Sequence, residues 1–186
     1  PPGHYCPAGA SAPLPCAPGT YYGLTGLRDA DECLPCPPGE YCDDHGLGEA
    51  TGPCAAGFYC VGGATVATPT AAGLAQGGAI CPAGHYCEEG SEAPRQCAAG
   101  SYSNTTGLAA CAPCPERFYC DGTTPTTPQP CPAGYYCPAG TGASPRPCPP
   151  GTYSADELLA AVEACDGCPP SQFCGDEGLT QPTGDC

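Results

Sequence analysis

The sequence has no Met, no Trp and no Lys; its only strong cations are four Arg, set against 19 Asp and Glu for a formal net charge of -15. A nucleic-acid partner needs a basic surface to neutralise phosphates, so that class is excluded. Large apolar side chains are also scarce: Leu, Ile, Val and Phe together supply 17 of 186 residues, about 9%. Ordering a residue costs roughly 1–2 kcal/mol of backbone entropy, which so few buried side chains cannot offset. No apolar run is long enough for a membrane helix; the longest weakly polar stretch, 71–80, is short and Gly-rich. Pro1-Pro2-Gly3-His4-Tyr5-Cys6 has neither the basic start nor the apolar run of a signal peptide. With 28 Gly and 27 Pro added, the composition is that of a disordered chain.

The 20 cysteines reverse that reading. At this density disulfides replace core burial, each worth roughly 3 kcal/mol for a loop of about 15 residues. Such bonds persist in an oxidising compartment, so the segment is expected to be extracellular or at the cell surface.

The cysteines repeat. One copy runs Cys81, Cys87, Cys97, Cys111, Cys114, Cys120; the next runs Cys131, Cys137, Cys148, Cys165, Cys168, Cys174. The first reads Cys6, Cys16, Cys33, Cys36, Cys42, and Cys186 opens another, so the segment reads as cut from a longer array. The expected divisions are repeat 1 over 1–53, a half-repeat with a flexible insert over 54–80, repeat 2 over 81–130, and repeat 3 with the start of the next over 131–186. The insert Val61–Ile80 reads as a joint or surface loop, and Thr123–Pro128 as an irregular link.

Other residues keep the same phase. The residue before the second Cys of each C-x5-C is aromatic: Tyr5, Tyr41, Tyr59, Tyr86, Tyr119, Tyr136 and Phe173. Two places earlier stands Gly3, Gly39, Gly57, Gly84 or Gly134, and a second motif is Gly19-Thr20-Tyr21, Gly100-Ser101-Tyr102 and Gly151-Thr152-Tyr153. Gly permits the positive φ of a tight turn, and the aromatic is expected to cover a disulfide. The predicted fold is small and disulfide-rich, an elongated tandem array of cysteine-rich repeats with short β-ladders, turns and little helix. One helix is predicted over Ser154–Ala164 from a Ser154/Glu157 capping box, with a shorter turn over Thr25–Glu32.

Candidate chemical sites are thin. Three C-x2-C pairs admit a redox or zinc reading, but each is followed by a further Cys six residues on, as a structural disulfide pattern would be. His4 and His85 share a repeat position held elsewhere by Glu40, Phe58, Phe118, Tyr135 and Gln172; a position so varied reads as surface, not as a general base. His45 is the third imidazole. No nucleophile–base pair stands out, so the chain reads as no enzyme, with no cofactor. Asp29/Asp31/Glu32, Asp43/Asp44 and Glu88/Glu89 match no calcium-loop spacing and read as solvated charge. Asn104-Thr105-Thr106 is an N-glycosylation sequon. Thr68, Thr70, Thr123, Thr124, Thr126 and Thr127 lie in Thr/Pro stretches suited to O-glycosylation.

Cys131-Pro-Ala-Gly-Tyr-Tyr-Cys137, then Cys148-Pro-Pro-Gly-Thr-Tyr153 and Cys165-x2-Cys168-Pro, resembles the ephrin-receptor-like cysteine-rich repeat, related in style to tumour-necrosis-factor-receptor modules. The Ala/Gly/Pro-rich, Lys-free character is most similar to the green-algal kind, including proteins of flagellar surface filaments (mastigonemes). The resemblance implies bonds Cys16–Cys33, Cys97–Cys111 and Cys148–Cys165, with cross-links Cys36–Cys54, Cys42–Cys60, Cys114–Cys131 and Cys120–Cys137. Cys81 and Cys87 are left over by this scheme. Open-ended nearest-neighbour repeats point to a structural segment of a secreted or cell-surface fibrous protein, such as a flagellar or cell-wall appendage. Its partners would be other copies of itself or other extracellular structural proteins, with glycans attached. The alternative is the ligand-binding or adhesion ectodomain of a receptor.

Overall fold

Each structural unit starts with a turn written into the spacer sequence. In Pro37-Pro38-Gly39-Glu40, Gly39 has φ 81° and the Glu40 N–H donates to the Pro37 carbonyl at 3.1 Å. That is the signature of a type II β-turn, in which Pro suits the second position and Gly the third. His85 donates to Pro82 and Tyr135 to Pro132 in the same way, each at 3.2 Å. In the Gly-Thr/Ser-Tyr copies the hydroxyl adds a second bond to the turn: Thr20 Oγ1 donates to Ala17 O at 2.6 Å, and Thr152 Oγ1 to Pro149 O at 2.6 Å. Two turns lack the glycine, yet Arg117 and Ser171 adopt φ 74° and 67° there. The backbone demand is therefore set by the fold, not by the residue.

From this turn the chain enters a two-residue strand, loops, and returns antiparallel beside it. The computed structural model describes residues 1–70, 74–123 and 125–186. Hairpin 1 pairs His4–Tyr5 with Leu14–Pro15, and hairpin 2 pairs Thr20–Tyr21 with Leu34–Pro35. Hairpin 3 pairs Glu40–Tyr41 with Gly52–Pro53, and hairpin 4 pairs Phe58–Cys60 with Gly78–Ile80. His85–Tyr86 and Arg95–Gln96 form hairpin 5. Hairpins 6 and 7 pair Ser101–Tyr102 with Ala112–Pro113 and Phe118–Tyr119 with Gln129–Pro130. Hairpins 8, 9 and 10 pair Tyr135–Tyr136 with Arg146–Pro147, Thr152–Tyr153 with Asp166–Gly167, and Gln172–Phe173 with Gly184–Asp185. A Cys follows every second strand, and its N–H closes the hairpin on the turn residue, as Cys54 does on Gly39 O at 2.8 Å.

The elementary repeat is thus one hairpin. Residues 1–53 hold hairpins 1 to 3, 81–130 hold hairpins 5 to 7, and 131–186 hold hairpins 8 to 10. The supposed half-repeat and insert, 54–80, is a single hairpin with a long loop. The described part of that loop is packed: Ala64 and Pro69 are buried, Val61 N donates to Gly77 O and Ala55 N to Ala67 O, each at 2.9 Å. Val61–Ile80 is therefore a hairpin loop that ends in a strand, not a joint between copies. Thr123–Pro128, of which Thr124 lies outside the described residues, is likewise the loop of hairpin 7 and not a link.

No α-helix forms over Ser154–Ala164. Leu158 turns into the left-handed region at φ 64°, and only Val162–Ala164, just before Cys165, winds as a 3-10 turn. Ser154 Oγ accepts from Asp156 N at 3.2 Å, and Glu157 makes no capping box with it. A loop anchored at both ends cannot run straight for three helical turns. The capping box stands instead in hairpin 2, where Asp29 and Glu32 cap the 3-10 turn Ala30–Glu32.

The chain clusters into two compact parts, 1–95 with 105–110 and 96–104 with 111–186. Neither has an ordinary core. Among the described residues the buried apolar side chains are half-cystines, joined only by Leu27, Ala64, Leu159 and Pro69.

With so few buried side chains, the left-handed turns are the positions most sensitive to substitution. Substituting Gly39→Ala should destabilise the disulfide-intact chain by at least about 2 kcal/mol, from a left-handed Ala plus overlap of its Cβ with Gly90 O. Arg117→Gly should instead stabilise it by about 0.5–1 kcal/mol, relieving a left-handed Arg at the cost of glycine entropy. Urea unfolding followed by tyrosine fluorescence checks both.

Candidate functional site

Nine disulfides close, and all nine begin and end inside one hairpin. In the short-loop type the Cys opening the hairpin bonds the Cys after the aromatic: Cys36–Cys42, Cys54–Cys60, Cys81–Cys87, Cys114–Cys120, Cys131–Cys137 and Cys168–Cys174. In the long-loop type the place after the aromatic holds Tyr22, Ser103 or Ser154. The opening Cys then reaches the foot of its own hairpin: Cys16–Cys33, Cys97–Cys111 and Cys148–Cys165.

This corrects four expected cross-links. Cys36–Cys54, Cys42–Cys60, Cys114–Cys131 and Cys120–Cys137 do not form, because each of these cysteines is bonded six residues away. The turn brings Cys36 and Cys42 to a Cα separation of 5.9 Å, well inside disulfide range. Cys81 and Cys87, left over by the expected scheme, bond each other. Each C-x2-C splits its cysteines between two hairpins, as Cys33 bonds Cys16 while Cys36 bonds Cys42. Cys6 and Cys186 are free and exposed.

The surface that organises the array is the face each hairpin turns to its successor, and it is made of backbone. In the first part, hairpin 2 donates Gly19 N to Cys42 O at 2.8 Å and Tyr22 N to Leu47 O at 2.9 Å, and hairpin 3 returns Gly46 N to Cys16 O at 2.9 Å. Hairpins 3 and 4 repeat the set with Gly39 N to Cys60 O, Cys42 N to Ala64 O and Gly63 N to Cys36 O, each 2.8 Å. In the second part hairpins 8 and 9 use Gly134 N to Ser154 O at 3.0 Å, Cys137 N to Leu159 O at 2.8 Å and Leu158 N to Cys131 O at 2.9 Å. Hairpins 9 and 10 use Gly151 N to Cys174 O at 2.8 Å, with Ser154 N to Leu179 O and Gly178 N to Cys148 O at 2.9 Å. At about 0.5–1.5 kcal/mol net per bond, a junction gains a few kcal/mol.

These bonds run to a loop motif that the cysteine spacing conceals: Gly26-Leu27, Gly46-Leu47, Gly107-Leu108, Leu158-Leu159 and Gly178-Leu179, with Gly63-Ala64, Gly90-Ser91 and Gly140-Thr141 in register. Leu27, Ala64 and Leu159 are buried against the hairpin before them, forming parallel bridges with Tyr5, Tyr41 and Tyr136. Half of the chain's ten Leu lie at this position, four of them one residue after a tip glycine and Leu159 after the left-handed Leu158. That recurrence about six residues after each aromatic was the available signal. The tip glycines also meet the turn glycines two hairpins earlier. A Cβ on Gly39 would strike Gly90 O, one on Gly57 Gly107 O, and one on Gly134 Gly178 O.

The remaining candidates do not converge. His4 is half-buried, with Nδ1 2.9 Å from Pro2 O and its ring under Gly46, so its repeat position lines a seam and is not open surface. His85 Nδ1 lies 3.3 Å from Ala83 O, and His45 is exposed beside Asp44. The carboxylates serve their own loops: Glu32 accepts from Arg28 N at 2.6 Å, Asp43 from Thr51 Oγ1 at 2.7 Å, and Glu88 pairs with Arg95 at 3.3 Å. Among the described residues no group of three or more His, Cys, Asp or Glu is placed to hold a metal. Asn104, Thr68, Thr70, Thr123, Thr126 and Thr127 are exposed, while Thr123 Oγ1 already donates to Asp121 at 2.6 Å. Thr124 is outside the described residues. No described helix is long and apolar enough to cross a membrane.

Compared with known proteins, the chain matches no family model and no curated protein.

Non-reducing proteolysis with mass spectrometry should recover Cys36–Cys42 and Cys131–Cys137 within single peptides; a Cys36–Cys54 or Cys114–Cys131 peptide would refute the pairing. Leu159→Ala should cost about 2–3 kcal/mol for a buried Leu and raise amide exchange at Cys137, whose N–H the Leu159 carbonyl accepts.

Proposed function

We propose that this chain is a structural segment of a secreted or cell-surface fibrous protein, built from repeats of the ephrin-receptor-like kind and without catalytic activity. One observation supports the reading above others: the same set of two or three backbone bonds joins successive hairpins, so each hairpin is spent on holding the next. Nine disulfides fit an oxidising extracellular setting. The residues that recur are those of the turns, disulfides and seams, whereas the imidazoles and carboxylates are spread over separate loops. A flagellar or cell-wall appendage is the setting in which this segment would serve, packed beside copies of itself or other extracellular structural proteins. Net charge of -15 keeps such an array soluble and favours basic partners or bridging cations. Asn104, exposed in its sequon, is the proposed glycan site, with Thr/Pro loops as secondary ones.

A second reading, a ligand-binding ectodomain, draws on exposed apolar residues in the first two hairpins: Leu24 is 69% exposed, Leu34 47% and Leu14 42%. Antibody raised against the segment and applied to unpermeabilised source cells separates the two. Labelling at regular intervals along a surface fibre supports the structural segment; label confined to the cell membrane, with Leu24→Ser abolishing capture of a soluble protein, supports the receptor. Expressed through a eukaryotic secretory pathway, the chain should shift in mobility on N-glycosidase treatment, and Asn104→Gln should remove that shift.

A further inference from the structure

The path of the covalent bonds decides how this array responds to a pull along the chain. No disulfide joins one hairpin to another, so between hairpins only the peptide chain resists separation covalently. Within each part, neighbours are held by sets of two or three backbone hydrogen bonds and a seated tip residue. Such nearest-neighbour contacts break one junction at a time. We propose that the array is a tether that lengthens stepwise under tension, junctions and second strands parting while the disulfides keep each turn, and in the long-loop type the whole loop, from unravelling. Purpose alone rests on the structural reading above; the mechanics rest on the connectivity.

The two disulfide types divide the work. In hairpin 3, tension enters at Cys36, crosses the disulfide to Cys42, and leaves through residues 43–53, which carry the load and can extend. Those 12 residue steps to Cys54 yield about 40 Å when straightened, at about 3.4 Å each. Hairpins 7 and 8 yield about 37 Å by the same rule, and hairpin 4, with its long loop from Cys60 to Cys81, about 70 Å. Hairpin 2 behaves otherwise. Tension crosses from Cys16 to Cys33, and only Leu34 and Pro35 lie between that bond and Cys36, so it yields about 10 Å. Hairpins 6 and 9, closed by Cys97–Cys111 and Cys148–Cys165, are clamped in the same manner. Clamped hairpins 2, 6 and 9 therefore punctuate runs of extensible ones, and the second Cys of each C-x2-C is the point where load passes on.

The direction of unfastening follows from the seams. A hairpin gives its turn glycine to the next hairpin and its opening carbonyl to that hairpin's tip, as Gly39 and Cys36 do toward hairpin 4. Peeling one junction removes these bonds without touching any disulfide. On release the turns are still closed by their disulfides, so a short-loop hairpin has only its second strand to pair again and its tip to reseat, which makes the lengthening reversible.

Single-molecule stretching of the full chain between two marker domains tests this. Without reductant, repeated steps of at most about 35–40 Å and one of at most about 70 Å, each less the span of the folded segment, are expected, ending at a limit of about 400 Å, from the steps outside the disulfides at about 3.4 Å each plus nine bridges of about 6 Å. Dithiothreitol should raise that limit to about 630 Å, the reach of all 186 residues. The double substitution Cys97→Ser with Cys111→Ser should add about 40 Å to the limit without reductant, from 14 freed steps less the lost bridge. If that variant fails to fold, the reductant series on the natural chain still decides. One cooperative rupture of a whole part, a limit well short of 400 Å, or a limit indifferent to reductant would each overturn the proposal. Regular stepping in a chain that proved to be a receptor segment would leave the tether standing and remove only its role in a fibre.

Discussion

The left-handed turn between Cys36 and Cys42, with Gly39 at φ 81°, sets the geometry on which the other features rest. It places two half-cystines 5.9 Å apart at their Cα atoms, sends the following aromatic into a strand, and exposes a backbone N–H to the next hairpin. A six-residue disulfide loop restricts the unfolded chain by only about 2 kcal/mol, less than a longer bridge would. Its value is local: each turn is closed without help from any neighbour. Where the residue after the aromatic is not Cys, as at Ser103 and Ser154, the same turn persists and the bond moves to the hairpin's foot.

Covalent bonds within hairpins and hydrogen bonds between them give this protein two separate energy scales. Large side chains have little part in either. Gly39, Gly57 and Gly134 sit so close to tip carbonyls two hairpins on that no side chain fits there, and Leu27, Ala64 and Leu159 bridge the backbone at the aromatic of the hairpin before. This is why a chain with 17 Leu, Ile, Val and Phe can be ordered at all. The buried groups are sulfur atoms and paired peptide groups, and both are supplied once per hairpin regardless of what the intervening loop contains. Loops as different as the Thr/Pro run of hairpin 7 and the long Gly/Ala/Thr loop of hairpin 4 are tolerated for that reason.

Much of this was legible in advance. The turn glycines, the aromatic positions and the hydroxyls of Thr20 and Thr152 all stand in phase with the cysteines, and local chemistry explains each. A short turn was expected over Thr25–Glu32, and a 3-10 turn stands at Ala30–Glu32, capped by Asp29 and Glu32, which had read as solvated charge. The Ser154/Glu157 pattern misled, because Leu159 had to reach the hairpin before it, and Leu158 turned left-handed to let it do so. The Gly-Leu tips keep a fixed spacing from the opening Cys and from the preceding aromatic, and only their distance to the following Cys varies with loop length; what hid them was that Ala64, Ser91 and Thr141 replace the Leu in other hairpins.

By itself the sequence determined the class of the protein. Twenty cysteines in a repeating phase with too few apolar residues for a core admit only a disulfide-stapled array, and that conclusion needs no coordinates. Which cysteine joins which was decided by the tertiary structure alone. In a tandem repeat every cysteine has an equivalent one copy away, so spacing cannot tell a bond within a hairpin from a bond to the next. The turn settles it by distance, since the cysteine six residues on is already beside its partner when the next hairpin has yet to arrive.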